Sequence, residues 1–130
     1  MQKGDRITGN VTSLSPKGDG IAFVDGWEVL IPGAVPGDVI EAFVRKKRRG
    51  RVEASLVRLL DSTCAREEPR CTHFGICGGC RWQDIAYDDQ LRVKEGMVRD
   101  LLKEVPAREF KKIVPSRDQF FYRNKMEFSF

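Results

Sequence analysis

A chain of 130 residues with 41% hydrophobic residues and a net charge of +4 suits one ordinary domain or two small ones, and it can bury about two-thirds of the surface that its unfolded form exposes. No run of eighteen apolar residues occurs, which argues against a membrane-spanning helix, and the opening MQKGDRITGN lacks the apolar segment of a signal peptide. The expected location is therefore the cytoplasm, where thiols stay reduced, so four cysteines close together in sequence point to metal before disulfides.

Residues 1–60 read as short strands separated by glycine turns. DRITGNVTSL sets Ile7, Gly9 and Val11 against polar neighbours, and GIAFV and WEVLIP flank Asp25-Gly26, a pair that favours a tight hairpin. PGAVPGD is a connection. DVIEAFVRKK and RVEASLVRLL then alternate again through Val39, Ile40, Ala42 and Val44, and through Val52, Ala54 and Leu56. Five short strands in sixty residues predict a small antiparallel barrel. The OB-fold is one such barrel, and a small sandwich or SH3-like barrel would leave the same pattern.

The stretch RKKRRGR places six cations in seven positions, Arg45, Lys46, Lys47, Arg48, Arg49 and Arg51. On a barrel it would crown a hairpin, where cations neutralise nucleic-acid phosphates and release counterions. A solvated hairpin tip is the plainer reading. Trp27 or Phe23, if exposed, would add base stacking, although Phe23 reads more readily as core.

Residues 61–83 hold all four cysteines and little periodicity. With so few apolar residues, the segment is expected to need a metal to order it. Cys71, Cys77 and Cys80 follow the spacing C-x5-C-x2-C, with Cys64 seven residues upstream. Structural zinc sites pair two short cysteine or histidine arms, and here only Cys77 and Cys80 have that spacing. Iron–sulfur sites accept three close cysteines and a distant fourth. Spacing alone leaves zinc and iron–sulfur both open. His73, the lone histidine, suits a surface position better than a ligand role.

Residues 88–105 predict a helix, with Asp88 or Asp89 as N-cap, Leu91, Met97 or Val98, Leu101, Leu102 and Val105 at helical spacing and Pro106 as the stop. Strands are expected near 110–115, in FKKIVPS, and over 120–130, where Met126, Phe128 and Phe130 alternate with polar residues. The second runs into the C-terminus in mid-pattern, so the chain is expected to be the front piece of a longer protein. Arg123, Asn124 and Lys125 form a second candidate patch for nucleic-acid contact.

CTHFGICGGCRWQD resembles the cysteine loop of the RNA uracil-5-methyltransferases of the iron–sulfur, 23S ribosomal RNA type. GDRITGNVTSLSPKGDGIAFVDGWEVLIPGAVPGDVIEA resembles that family's N-terminal TRAM domain, an OB-like RNA-binding barrel, and FYRNKMEFSF resembles the opening strands of its central domain. The resemblance covers nearly the whole chain.

It implies a mainly β protein with one helix: a TRAM barrel at 1–60, an iron–sulfur loop at 61–83 and the start of a central domain at 84–130. It also implies a [4Fe–4S] cluster on Cys71, Cys77 and Cys80, with a fourth cysteine beyond this chain. Cys64 matches no ligand of the family. Either it is an unliganded neighbour or it is a substitute fourth ligand, to zinc, in a stand-alone RNA-binding module. A metal-nucleated scaffold without RNA is the third reading. The family's catalytic cysteine and S-adenosylmethionine pocket belong to a C-terminal domain, so these 130 residues carry no expected catalytic site.

Overall fold

The computed structural model describes residues 1–48 and 50–122. Five strands, β1 (Arg6–Leu14), β2 (Gly20–Val24), β3 (Trp27–Ile31), β4 (Asp38–Arg48) and β5 (Arg51–Ser62), close into a barrel in the order β1-β2-β3-β5-β4. All neighbours are antiparallel except β3 and β5, which run parallel. The expected mainly β architecture with a five-stranded barrel and one helix is the one observed.

Alternation drives the closure. Ile7, Val11, Ala22, Val29, Ile31, Ile40, Ala42, Val44, Val52 and Ala54 all point inward and form one buried cluster. Asp25 and Gly26 both take positive φ, 50° and 77°, which a two-residue hairpin turn matched to strand twist requires. Three register shifts between β4 and β5 add the local twist that bends a small sheet round on itself.

Gly20 lies pressed against the backbone of a neighbouring segment. A Cβ there would lie 2.8 Å from the Ala34 backbone oxygen, and backbone cannot swing aside as a side chain can. Gly20→Ala should therefore destabilise the barrel by about 1–3 kcal/mol, the usual range for overpacking. Urea unfolding with an unchanged midpoint would contradict this.

A second buried cluster joins barrel to helix. It comprises Val35, Cys64, Ile85 and Val93, with Leu14 and Trp82 packed against it. Helix α1 spans Tyr87–Leu101, starting close to expectation and stopping four residues short of it. Neither expected aspartate caps it, because Ala86 occupies that position. Asp89 is engaged elsewhere: its carboxylate accepts from the Ala65 backbone N–H at 2.6 Å and pairs with Arg92.

The strand expected near 110–115 is not formed; residues 110–116 carry no ladder. Helix side chains hold this segment instead. Glu95 accepts from the Ile113 N–H at 3.1 Å, Arg99 lies over the Phe110 ring at 4.1 Å, and the Tyr87 hydroxyl accepts from the Ser116 N–H at 2.7 Å. The Ile113 N–H and the Arg99 guanidinium hold the Glu95 carboxyl below its ordinary pKa. Of the strand expected over 120–130, residues 120–122 are not extended: Phe121 has φ of 57°, in the left-handed region. Residues 123–130 lie outside the described residues, as do Arg49, Arg123, Asn124 and Lys125.

Candidate nucleic-acid interface and thiol loop

The basic run lies where the sequence places it, on the β4–β5 hairpin. Arg45, Lys46, Lys47 and Arg48 end β4, and Arg51 begins β5. The ladder aligns Phe23, Glu28, Arg51 and Arg48 as successive partners on β2, β3, β5 and β4. At about 4.8 Å per strand, this row runs ~14 Å across the barrel wall. Glu28 ties it together by accepting from Arg51 Nε at 2.9 Å. Lys3, Arg45, Lys46, Lys47 and Glu53 line a depression of about 570 Å3 beside it.

The two aromatics differ from expectation in role. Phe23 is not core: it is 65% exposed. Its β2 neighbours Ala22 and Val24 take the inward positions, leaving position 23 on the outer wall. Trp27 pairs with Val24 and packs on the barrel core. Lys47 Nζ sits 3.6 Å from its ring centroid, so one Trp27 face is already covered by a cation. Of the two, Phe23 is the free stacking surface. Among the described residues Arg45, Lys46 and Arg48 make no ion pair.

The cysteine segment leaves the barrel through a closed stem. Arg66 bridges to Ile85, the Glu67 N–H donates to the Asp84 carbonyl, and the Ala86 N–H donates to the Ala65 carbonyl. Beneath the stem, Arg66 donates to the fully buried Asp38 carboxylate at 2.5 Å and to Asp84 at 2.7 Å. Asp38 also accepts from the Val35 N–H and the Ser62 hydroxyl. Arg81 pairs with Asp19 at 2.5 Å, and Trp82 lies against Gly18. Protein contacts therefore order both ends of the segment, a role the sequence reading assigns to metal.

Between these anchors the thiols are exposed. Cys71, Cys77 and Cys80 face solvent on a run of turns, with the His73 carbonyl accepting from the Ile76 and Cys77 N–H groups. Gly78, at φ of 69°, supplies the left-handed bend between the last two cysteines. N–H groups approach two of the sulfurs: Gly79 N is 3.4 Å from Cys77 Sγ and Gln83 Nε2 is 3.3 Å from Cys80 Sγ. Exposed thiols met by N–H donors are a donor set suited to a thiophilic ion or an iron–sulfur cluster. Among the described residues, no three Cys, His, Asp or Glu side chains converge closely enough to hold an ion as they stand. The His73 side chain is exposed.

Cys64 is of another kind. It is 4% exposed within the second cluster. Burial pushes its thiol pKa up, and nearby Asp89 adds to this, opposed by Arg92. A thiol kept protonated by apolar packing is a poor metal ligand.

No family model matches the chain. Individual proteins do. A protein of Porphyromonas gingivalis named as an uncharacterized RNA methyltransferase is 38% identical over 123 residues, 92% of this chain and 26% of that protein. One of the same name from Clostridium acetobutylicum is 40% identical over 113 residues, 85% of this chain and 25% of that protein. The chain is a homologue of RNA methyltransferases. The 23S rRNA (uracil(1939)-C(5))-methyltransferase RlmD of Legionella pneumophila is 32% identical to it over 124 residues, 94% of this chain and 28% of that protein. The chain thus spans about a quarter of the length of these curated relatives. Among the described residues no helix is long and apolar enough to cross a membrane.

Sequence reasoning found the thiols and the hairpin. It missed Asp38, Arg66 and Gln83 as parts of the site. Only the Gln following CGGC left a trace, and spacing gives a glutamine no chemical role.

Proposed function

We propose that this chain is the RNA-gripping and cluster-bearing portion of an S-adenosylmethionine-dependent RNA uracil-C5 methyltransferase acting on ribosomal RNA in the cytoplasm. One observation carries the reading: a basic hairpin with an exposed aromatic in its row, and a pinned loop of exposed thiols, share one barrel in a homologue of RNA methyltransferases.

In this reading the barrel holds RNA. Arg45, Lys46, Arg48 and Arg51 meet phosphates, Phe23 stacks on a base, and Lys47 steadies Trp27. Arg49, Arg123, Asn124 and Lys125 remain candidates for RNA contact from their sequence positions. Cys71, Cys77 and Cys80 would hold a [4Fe–4S] cluster, with a fourth ligand outside these residues. When bound, the cluster would cross-link the turns of the loop. No step of methyl transfer is assigned to these residues.

Zinc held by four cysteines is the competing reading, and it requires Cys64. The burial of Cys64 among Val35, Ile85 and Val93 speaks against it. Anaerobic purification separates the two. Iron, sulfide and brown absorbance are expected, kept by Cys64→Ala and lost by Cys77→Ala. One equivalent of zinc, lost on Cys64→Ala, would overturn the proposal.

A further inference from the structure

We infer that Gln83 is the positioning residue of the thiol loop, setting the place and electron density of the Cys80 sulfur and the turn at Cys71. The inference rests on the cluster reading above and names a residue that reading does not use.

Three observations converge on Gln83. Its Oε1 accepts from the Cys71 backbone N–H at 2.8 Å. Its Nε2 donates to Cys80 Sγ at 3.3 Å. These two contacts also fix which way round the amide lies, since an N–H needs the oxygen and a sulfur acceptor takes the N–H. One side chain thus spans the first and last cysteines of the loop.

Its own backbone is anchored on both sides. Arg81 pairs with Asp19, Trp82 packs into the second cluster, Asp84 receives Arg66, and Ile85 is buried. Gln83 is therefore a short lever with its fulcrum on the barrel and its amide on the thiols. Among the described residues, the hydrogen bonds of the rest of the Cys71–Cys80 excursion are local ones within it.

An N–H aimed at a ligating sulfur withdraws electron density and raises a cluster's reduction potential. An outer partner of this kind also holds its ligand in place, and its loss typically costs about 10–100-fold in metal affinity. Two substitutions split the roles. Gln83→Glu keeps the size and the acceptor for Cys71 but replaces the donor with an anion. Gln83→Leu removes both contacts.

The test uses the full-length protein, reconstituted anaerobically with iron and sulfide, and reads cluster half-life under an iron chelator and the midpoint potential. Gln83→Leu should lose its cluster roughly 10–100-fold faster than wild type. Gln83→Glu should fall between the two and titrate at a more negative potential, because the added anion favours the oxidised cluster. Variants matching wild type in both readouts would overturn the role of Gln83 while leaving the cluster reading intact. A wild-type protein that takes up no iron and sulfide would sink both.

Discussion

Replacing Asp38 with alanine is expected to destabilise the protein by about 3–5 kcal/mol, the range found when one partner of a buried ion pair is removed. Asp38 is fully buried, and its carboxylate serves three groups: the Arg66 guanidinium, the Val35 N–H and the Ser62 hydroxyl. Alanine would leave all three without this acceptor and Arg66 with Asp84 as its remaining carboxylate partner among the described residues. Asp38→Asn keeps the shape but loses the charge and turns one acceptor oxygen into an N–H donor; with that donor toward the Ser62 hydroxyl, which can accept, it should cost less than alanine. Combining Asp38→Ala with Arg66→Met removes the half-paired cation and should recover part of the loss, but not all, since Val35 and Ser62 stay without this acceptor and Asp84 loses its guanidinium.

Urea unfolding measures these costs, and an Asp38→Ala midpoint within error of wild type would contradict the prediction. Trypsin gives the local readout. With the stem freed, cleavage at Arg70 and Arg81 should precede global unfolding. The network is positional more than strong: Arg66 Nε, Trp82 Nε1 and Asp84 Oδ1 are buried without partners among the described residues, each a cost of about 1–3 kcal/mol where no partner is found.

Reversing Arg45, Lys46, Arg48 and Arg51 to glutamate should weaken RNA binding at least tenfold at low salt and flatten its salt dependence. The slope should fall by about 0.7 for each single-strand phosphate that is no longer neutralised. Lys47 is left out of the set because its ammonium covers Trp27, and its loss would mix packing with charge. The Arg51–Glu28 pair, with Arg51 well exposed, contributes at most about 1 kcal/mol to stability, so the fold should survive. Phe23→Ala should cost about 1–3 kcal/mol of binding with no change in slope, the mark of stacking without charge. Filter binding across a salt series reads both effects. Unchanged affinity and slope in the four-fold reversal would remove the hairpin from the interface.

The barrel was legible because alternation is a local signal. Val52 and Ala54 announce an inward face whatever their partners, and Asp25-Gly26 announces its turn. Phe23 was misjudged because hydrophobicity cannot say which side of a strand a residue takes; the β2 register with Glu28 decides that. The segment near 110–115 has strand character but no strand beside it among the described residues. Its backbone groups turn to Glu95 and Tyr87, whose reach depends on where α1 packs. The thiols stand out because closely spaced cysteines are visible in sequence. Asp38 and Arg66 stand 28 residues apart, and nothing in either neighbourhood advertises the other. Gln83 was hidden because an amide takes its role only from what surrounds it.

The second buried cluster, built from Val35 of the barrel, Cys64 and Ile85 of the stem and Val93 of the helix, bears on modularity. The cluster crosses the compositional boundary near residue 60. A barrel excised there and grafted onto another protein would carry Leu14 and Val35 as an uncovered apolar patch, the kind of surface that draws chains together. The transferable unit is the barrel with its stem and helix, so a barrel borrowed from this protein brings the thiol loop with it.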